Sequence, residues 1–378
     1  MRPGLRGWGF TLILSALWGA WSGCGPKAVP RTGWQGWQRD TVFHARFFQL
    51  WHGEGRRMLL TFGPGGTADT TGIFVVGKAG DGGAAPRGAV VLEHPLARVA
   101  LWSTTHASFL SALGRAEAVV GCAYTKRLRD PQVAALARAG KVAEIAMADG
   151  LDRERMLQLA PEALFTYPYG TEGKSDALGS LPAVPIAEYL EPAPLGRAEW
   201  VRAFGLLMGD EGRAREVFNG IAARYEAAKA SVPREETAPA VFFGSSWKGT
   251  WSVPAGNSYM AHLIADAGGR YLFADRPAAG NVDIGLETVL TAGAQARLWG
   301  RILELDRPVT KADVAGDDHR VLALPVFGGP GVFYGNSTES DLFGQAALEP
   351  DAVLKDLIGI FRPAMAMGRK PVYFTPLQ

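Results

Sequence analysis

Three groups of residues in this chain of 378 have types and spacings that suggest chemistry. The segment GIFVVGKA (72–79) has the spacing of a phosphate-binding Walker A loop. Ala79, however, stands where Ser or Thr must hold magnesium, and IFVV reads as a strand rather than a phosphate cradle. GSSWKG (244–249) is similar to a nucleophile elbow, in which a strained turn exposes a serine, but Lys248 occupies the place of the second glycine. The six histidines, His44, His52, His94, His106, His262 and His319, form no HxxxH or HExxH pair, so no local zinc signature exists. No enzyme is expected. Two rival readings stand beside a binding protein: an exported hydrolase working from Ser245 or Ser246, and a metal-ion receptor using His106 and scattered carboxylates.

A fourth chemical feature lies at the start. The sequence opens MRPGLRGWGFTLILSALWGAWSGCG, with a basic beginning, an apolar run from Trp8 to Trp21 and small residues before Cys24. A membrane-spanning helix needs about 20 apolar residues. This run is shorter and suits the core of a signal peptide over 1–23. WSGC is similar to the lipobox of bacterial lipoproteins, where the Cys is lipidated and becomes the new N-terminus; Trp21 departs from the aliphatic residue usual there. With Cys24 lipidated, Cys122 has no disulfide partner, and its place at the end of the apolar run AEAVVGC (116–122) reads as a buried, inert thiol.

Hydrophobic residues at 47% and charged ones at 20% describe a folded globule, not a disordered or fibrous chain. The 39 Lys+Arg against 37 Asp+Glu give +2, and Arg2 and Arg6 account for that excess. The balanced remainder argues against a nucleic-acid binder or a protein held on anionic membranes by charge. Any attraction for an anion must then come from local groups such as Lys126, Arg127 and Lys248.

The elements that would position these groups follow from periodicity. After Cys24 a polar stretch to Arg39 reads as a tether (24–39), and TVFHARFFQLWHG and GRRMLLTFG read as strands of a small N-terminal β addition. From about residue 98 an α/β alternation begins: strand RVALWS, helix TTHASFLSALG capped by Ser103 or Thr104, strand AEAVVGC, helix DRERMLQL capped by Asp152, then strands ALFTYP and VPIAEYL. Leu195 to Ser231 lacks Pro and carries apolar residues at helical spacings, split at Gly209–Asp210, with a second helix of about 20 residues. The alternation restarts with APAVFFGSS, NSYMAHLIADAGG, LETVLTAG, ARLWGRI, RVLALPVF (320–327) and the helix PDAVLKDLIGIF. The expected organisation is an α/β lobe over 40–194 including the β addition, connecting helices over 195–232, and a second α/β lobe over 233–378. ERMLQLAPEA (154–163) and ETVLTAGAQA (287–296) echo one another at corresponding places in the two lobes.

From Arg98 to the C-terminus the chain resembles the bacterial substrate-binding lipoproteins of iron-siderophore and cobalamin ABC importers. The matching pieces, in order, are RVALWSTTHASFLSALGRAEAVVGC, LDRERMLQLAPEALFTYPYG, PLGRAEWVRAFGLLMGDEGRAREVFNGIAARY, GTWSVPAGNSYMAHLIADAGGRYLFAD and EPDAVLKDLIGIFRP. Two positions depart from the family pattern: Glu162 replaces an Asp, and Arg362 stands where His is common. The resemblance implies an α/β fold of two Rossmann-like lobes with mainly parallel sheets, joined by one long inter-lobe helix. The ligand, an iron chelate, corrinoid or haem, would lie between the lobes, with no resident cofactor. The family also implies docking of a monomer on the permease transmembrane subunits through one Glu per lobe, here Glu154 and Glu287, and an exported protein of the periplasm or cell surface, lipid-anchored to the membrane.

In open α/β folds ligands sit beyond the C-terminal strand ends. That rule selects Ser103, Thr104, Thr105, His106, Tyr124, Lys126, Arg127, Tyr167 and Tyr169 in the first lobe. In the second it selects Ser246, Trp247, Lys248, Trp251, Tyr334 and Asn336. Aromatic faces would pack on macrocycles or catechol rings, and the basic groups would neutralise anionic complexes.

Overall fold

The structure is a computed structural model and describes residues 34–78, 84–148, 150–168, 179–233, 238–278, 280–366 and 368–377. Cys24, the signal segment and most of the tether lie outside the described residues, as does Tyr169.

The N-terminal residues form a five-stranded sheet, β1 (Gln38–Arg39), β2 (Phe48–Gly53), β3 (Arg56–Phe62), β4 (Thr70–Val76) and β5 (Val90–Leu92), in that order. Alternation in β3 explains how it is packed. Met58, Leu60 and Phe62 meet Ile73, Val75 and Trp37 on one face, while Leu59 joins Phe48, Leu50 and Phe74 in the main core on the other. IFVV lies inside β4.

The first α/β unit comprises β6 (Val99–Leu101), α1 (Ala107–Ala112), β7 (Val119–Cys122), α2 (Pro131–Arg138), β8 (Ala143–Glu144), β9 (Ala146–Met147), β10 (Gly150–Leu151), α3 (Arg153–Leu159), β11 (Ala163–Thr166) and β12 (Ala183–Pro185). Its sheet runs β12-β11-β6-β7-β8 with every pairing parallel. VAL, VVGC and ALFT are buried throughout, as strands covered on both faces must be. Ser103 caps a 3-10 turn at Thr104–His106 ahead of α1, and Asp152 caps α3 by accepting from the Arg155 N–H at 2.9 Å. Glu162 accepts from the Ala97 and Arg98 N–H groups at the entry to β6. Only the first part of VPIAEYL is strand. Glu188–Leu190 is a 3-10 turn, because Glu188 turns inward to Thr105 and His106.

Three helices follow: α4 (Pro194–Glu199), α5 (Val201–Met208) and α6 (Glu211–Ala230). Gly209 ends α5 at φ 74°, and an added Cβ there would meet Pro95 at 2.8 Å. Ala214, Phe218, Ile221, Tyr225 and Ala228 form the buried stripe of the 20-residue α6.

The second unit comprises β13 (Ala240–Phe243), β14 (Ser245–Trp247), β15 (Thr250–Pro254), α7 (Tyr259–Asp266), β16 (Arg270–Tyr271), β17 (Asn281–Ile284), α8 (Leu286–Gly293), β18 (Leu298–Leu303), α9 (Lys311–Ala315), β19 (Val332–Asn336), α10 (Gln345–Leu348), α11 (Pro350–Phe361) and β20 (Thr375–Pro376). Its main sheet runs β16-β13-β18-β19-β20, parallel except for β20, and β14-β15-β17 form a separate antiparallel sheet. The architecture is α/β with two mainly parallel sheets separated in the chain by a long helix. RVLALPVF forms two 3-10 turns, His319–Ala323 and Pro325–Gly328, and not a regular element, since Pro325 begins the second turn with no N–H to give a ladder. Arg362 donates to the Ala267 and Gly268 carbonyls, closing the C-terminal end of α7. Among the described residues no helix is long and apolar enough to cross a membrane.

Candidate functional site

A cavity of about 530 Å³ lies where the two units, the connecting helices and the N-terminal sheet meet. That size suits a small organic ligand, for which roughly 300–1,000 Å³ is usual. One side is formed by Tyr189 to Pro192 and by Arg197 of α4; the other by Phe243, Gly244 and Ser245, where β13 passes into β14, and by Asn257 to Met260 at the start of α7. Arg46, Phe47 and Pro64 from the N-terminal segment and Phe343 complete much of the rest.

Arg197 is fixed by three contacts. Its Nε donates to the Glu191 carbonyl at 3.2 Å, its Nη2 to the Tyr189 carbonyl at 3.0 Å, and its guanidinium lies 3.9 Å from the Tyr259 ring centroid. Burial draws its pKa down and raises that of the Tyr259 hydroxyl. Tyr259 is presented by α7, whose cap Ser258 accepts from the Ala261 N–H at 3.3 Å, and Asn257 accepts from the Ala278 N–H at 3.0 Å.

Glu191 is the carboxylate of the wall. It accepts from the N–H groups of Arg46 and Phe47 and from the Trp200 indole, and the next carboxylate, Glu199, accepts from Phe43, His44 and Ala45. Five successive backbone donors thus end on two buried carboxylates more than 140 residues away. Burial pushes the Glu191 carboxyl up to about 7; the backbone donors pull the other way and Glu199 adds to the rise.

Among the described residues, none of the side chains selected from strand ends lines this cavity. They gather in two clusters beside it. In the first, Ser103 Oγ and Thr105 Oγ1 are 2.8 Å apart, and Thr105 donates to Glu188 at 3.0 Å. His106 is fully buried with Nε2 3.6 Å from Glu188, too long for a hydrogen bond. Burial alone would raise the Glu188 carboxyl, but His106 and Thr105 outweigh it and hold it below the ordinary range. Tyr167 packs edge-on to both His106 and Tyr189, and Tyr189 does line the cavity. Tyr124 and Arg127 form an exposed pair, 5.7 Å from guanidinium to ring, with Lys126 exposed next to them and Thr104 half-buried.

In the second cluster Ser246 is buried and its Oγ accepts from the Asp317 N–H at 2.9 Å, which directs it away from a nucleophilic role. Lys248 (φ 50°) and Gly249 (φ 81°) make the tight turn of the β14–β15 hairpin, and the Lys248 N–H donates to Asp317. The Trp247 side chain lies outside the described residues. Two expectations need correction. Trp251 is 1% exposed and packs edge-on to Phe242 and Trp299, which stack at 3.7 Å, so it belongs to the core. Asn336 is buried with its amide bonded to Leu305, Thr338 and Glu339, which pins the end of β19 and leaves nothing for a ligand. Tyr334 is half-buried on the same strand. Cys122 is buried and its thiol is pushed up to about 12 by that burial. Among the described residues no His, Cys, Asp and Glu cluster could hold a metal ion.

Glu154 and Glu287 occupy the first turns of α3 and α8, exposed and without an ion-pair or hydrogen-bond partner among the described residues.

Residues 99–318, more than half the chain, match the family described as periplasmic binding protein. The chain belongs to the periplasmic binding protein family. As a periplasmic binding protein it is a solute receptor and not an enzyme. An uncharacterised lipoprotein of Methanocaldococcus jannaschii is 26% identical over 309 residues, 75% of this chain and 69% of that protein. Solved structures share the fold. A periplasmic haem-binding protein from Pseudomonas aeruginosa gives a TM-score of 0.52 at 18% identity, covering 75% of this chain and 95% of its own. An Fe3+-hydroxamate transport protein from Saccharomonospora viridis gives 0.54 at 18%, covering 71% and 95%. The Fe3+-Desferal-bound siderophore-binding protein of Vibrio cholerae gives 0.52 at 17%, covering 70% and 98%. Export of the periplasmic binding protein accords with its family and its lipoprotein relative.

Cavity-lining residues that strand-end reasoning did not select include Arg46, Phe47, Tyr189, Arg197 and Tyr259. Arg197 and Tyr259 lie within the third and fourth family-like segments, and Asn257-Ser258 is a visible cap signal. Arg46 and Phe47 carry no local signal at all.

Proposed function

We propose that this protein is the substrate-binding component of an ABC importer and captures an iron-siderophore or a related metal chelate in the 530 Å³ cavity. The observation that carries the reading is the lining itself: aromatic rings from Phe47, Tyr189, Tyr259 and Phe343 surround two guanidinium groups, a surface suited to a ringed, charged complex. Haem, which one protein sharing its fold binds, is a ligand of that kind. A corrinoid or haem is the alternative within the same class.

In this reading Cys24 carries the lipid that anchors a monomer at the membrane, and α6 acts as a stiff connector that limits closure. Glu154 and Glu287 dock on the permease transmembrane subunits. Their exposure and their lack of partners support this role, and Leu157, one turn beyond Glu154 on α3 and 81% exposed, supplies an apolar neighbour. The experiment is a titration of the purified protein with ferric siderophores, haem and cobalamin, followed by tryptophan fluorescence. Saturable quenching by at least one is expected, and failure of all of them would overturn the reading.

A further inference from the structure

The family match begins at residue 99, yet the cavity wall includes Arg46, Phe47 and Pro64, which precede it. Their place is not accidental packing of a loose end. The Arg46 and Phe47 N–H groups donate to Glu191 at 2.9 Å, and Glu191 lies between Tyr189 and Arg197, both also in the wall. The turn is therefore registered against the cavity through its backbone, which leaves the exposed Arg46 side chain available while Phe47 packs against the core. The Arg46 guanidinium has no partner among the described residues, and neither does Nη1 of Arg197. The carboxylate among them, Glu191, has both oxygens occupied by backbone donors. In a chain whose charges otherwise balance, two guanidinium groups against this one carboxylate leave a net excess of positive charge in one aromatic-lined space.

We infer that the turn 43–47 is a wall of the ligand site and that Arg46, together with Arg197, makes the cavity selective for an organic anion with aromatic or conjugated rings. This rests on the receptor reading given above and narrows it to a ligand class. Among metal chelates it favours ferric tris-catecholates and haem, whose propionates are anionic, over neutral corrinoids and cationic ferric trihydroxamates.

The test uses the full chain purified in detergent, with four probes: a ferric tris-catecholate, haem, cyanocobalamin and ferrioxamine B, a cationic trihydroxamate complex. Tighter binding of one of the first two is expected. Arg46→Gln, which keeps the backbone bonds to Glu191, should weaken that anion by about tenfold or more, the loss of a charge-assisted contact. Arg46→Lys should recover part of it, and Arg138→Gln on the exposed face of α2 should change nothing. Equal or tighter binding of the neutral or cationic probe overturns the charge selectivity, and an unchanged affinity in Arg46→Gln overturns the wall, while the receptor reading survives both. Absence of binding by all four removes the receptor reading and this inference with it.

Discussion

Glu191 combines two jobs that pull against each other. Its carboxylate organises the Arg46–Phe47 backbone, but it does so while 1% exposed, where charge is disfavoured. A carboxyl held near 7 in the fold, against about 4.3 when unfolded, binds a proton more tightly in the native state. Its contribution is therefore fully present below about pH 4.3 and is lost as pH rises through 7. Relative to Glu191→Gln, the protein is expected to lose about 3 kcal/mol of stability between pH 4 and pH 8. Urea denaturation at both pH values measures this; a pH-independent difference between the two proteins would rule it out. The Gln amide keeps one oxygen where Oε1 now takes the Phe47 and Trp200 donors, so the variant retains most of the anchor.

At the scale of elements, the short buried strands were legible because parallel sheets demand continuous apolar runs. VVGC and AVFF could hardly be anything else. RVLALPVF shows the limit of that argument: it is as apolar, yet Pro325 and the path of the chain turn it into two 3-10 turns. The strand-end rule located the loops but not their side chains. Ser246 and Asn336 sit where it placed them, but each is consumed by its own backbone neighbours. Trp251 illustrates the consequence in β15. Replacing it with Ala removes the ring that closes the Phe242–Trp299 stack and is expected to cost about 3–5 kcal/mol. Chelate affinity measured on the remaining folded protein should be unchanged; a weakened affinity would return Trp251 to the site.

For the whole molecule, the two α/β units and the long helix between them could be read from periodicity, and the family from five ordered segments. The cavity could not, because its wall is assembled from residues 46 to 374 and no window of sequence contains it. The echo between 154–163 and 287–296 was visible, and it corresponds to two exposed carboxylates in the first turns of α3 and α8, unpaired among the described residues, each helix leading into an interior strand of its sheet. If these are the docking points, the double variant Glu154→Ala, Glu287→Ala should abolish uptake of the bound chelate by cells while affinity in solution stays within about twofold, since surface charges change stability and distant binding little. Loss of affinity in the double variant would refute the separation of capture from delivery.

The five donors of residues 43–47 have a consequence in time as well as in space. The residues that accept them, Glu191 and Glu199, lie near the middle of the chain. During synthesis the N-terminal sheet emerges first, at about 5–20 residues per second, and can form its own strand pairs early. It cannot be latched until α4 has been made. The opening part of the chain is thus among the last to reach its final position, and a nascent protein truncated before Glu191 would hold a sheet with nothing to dock against.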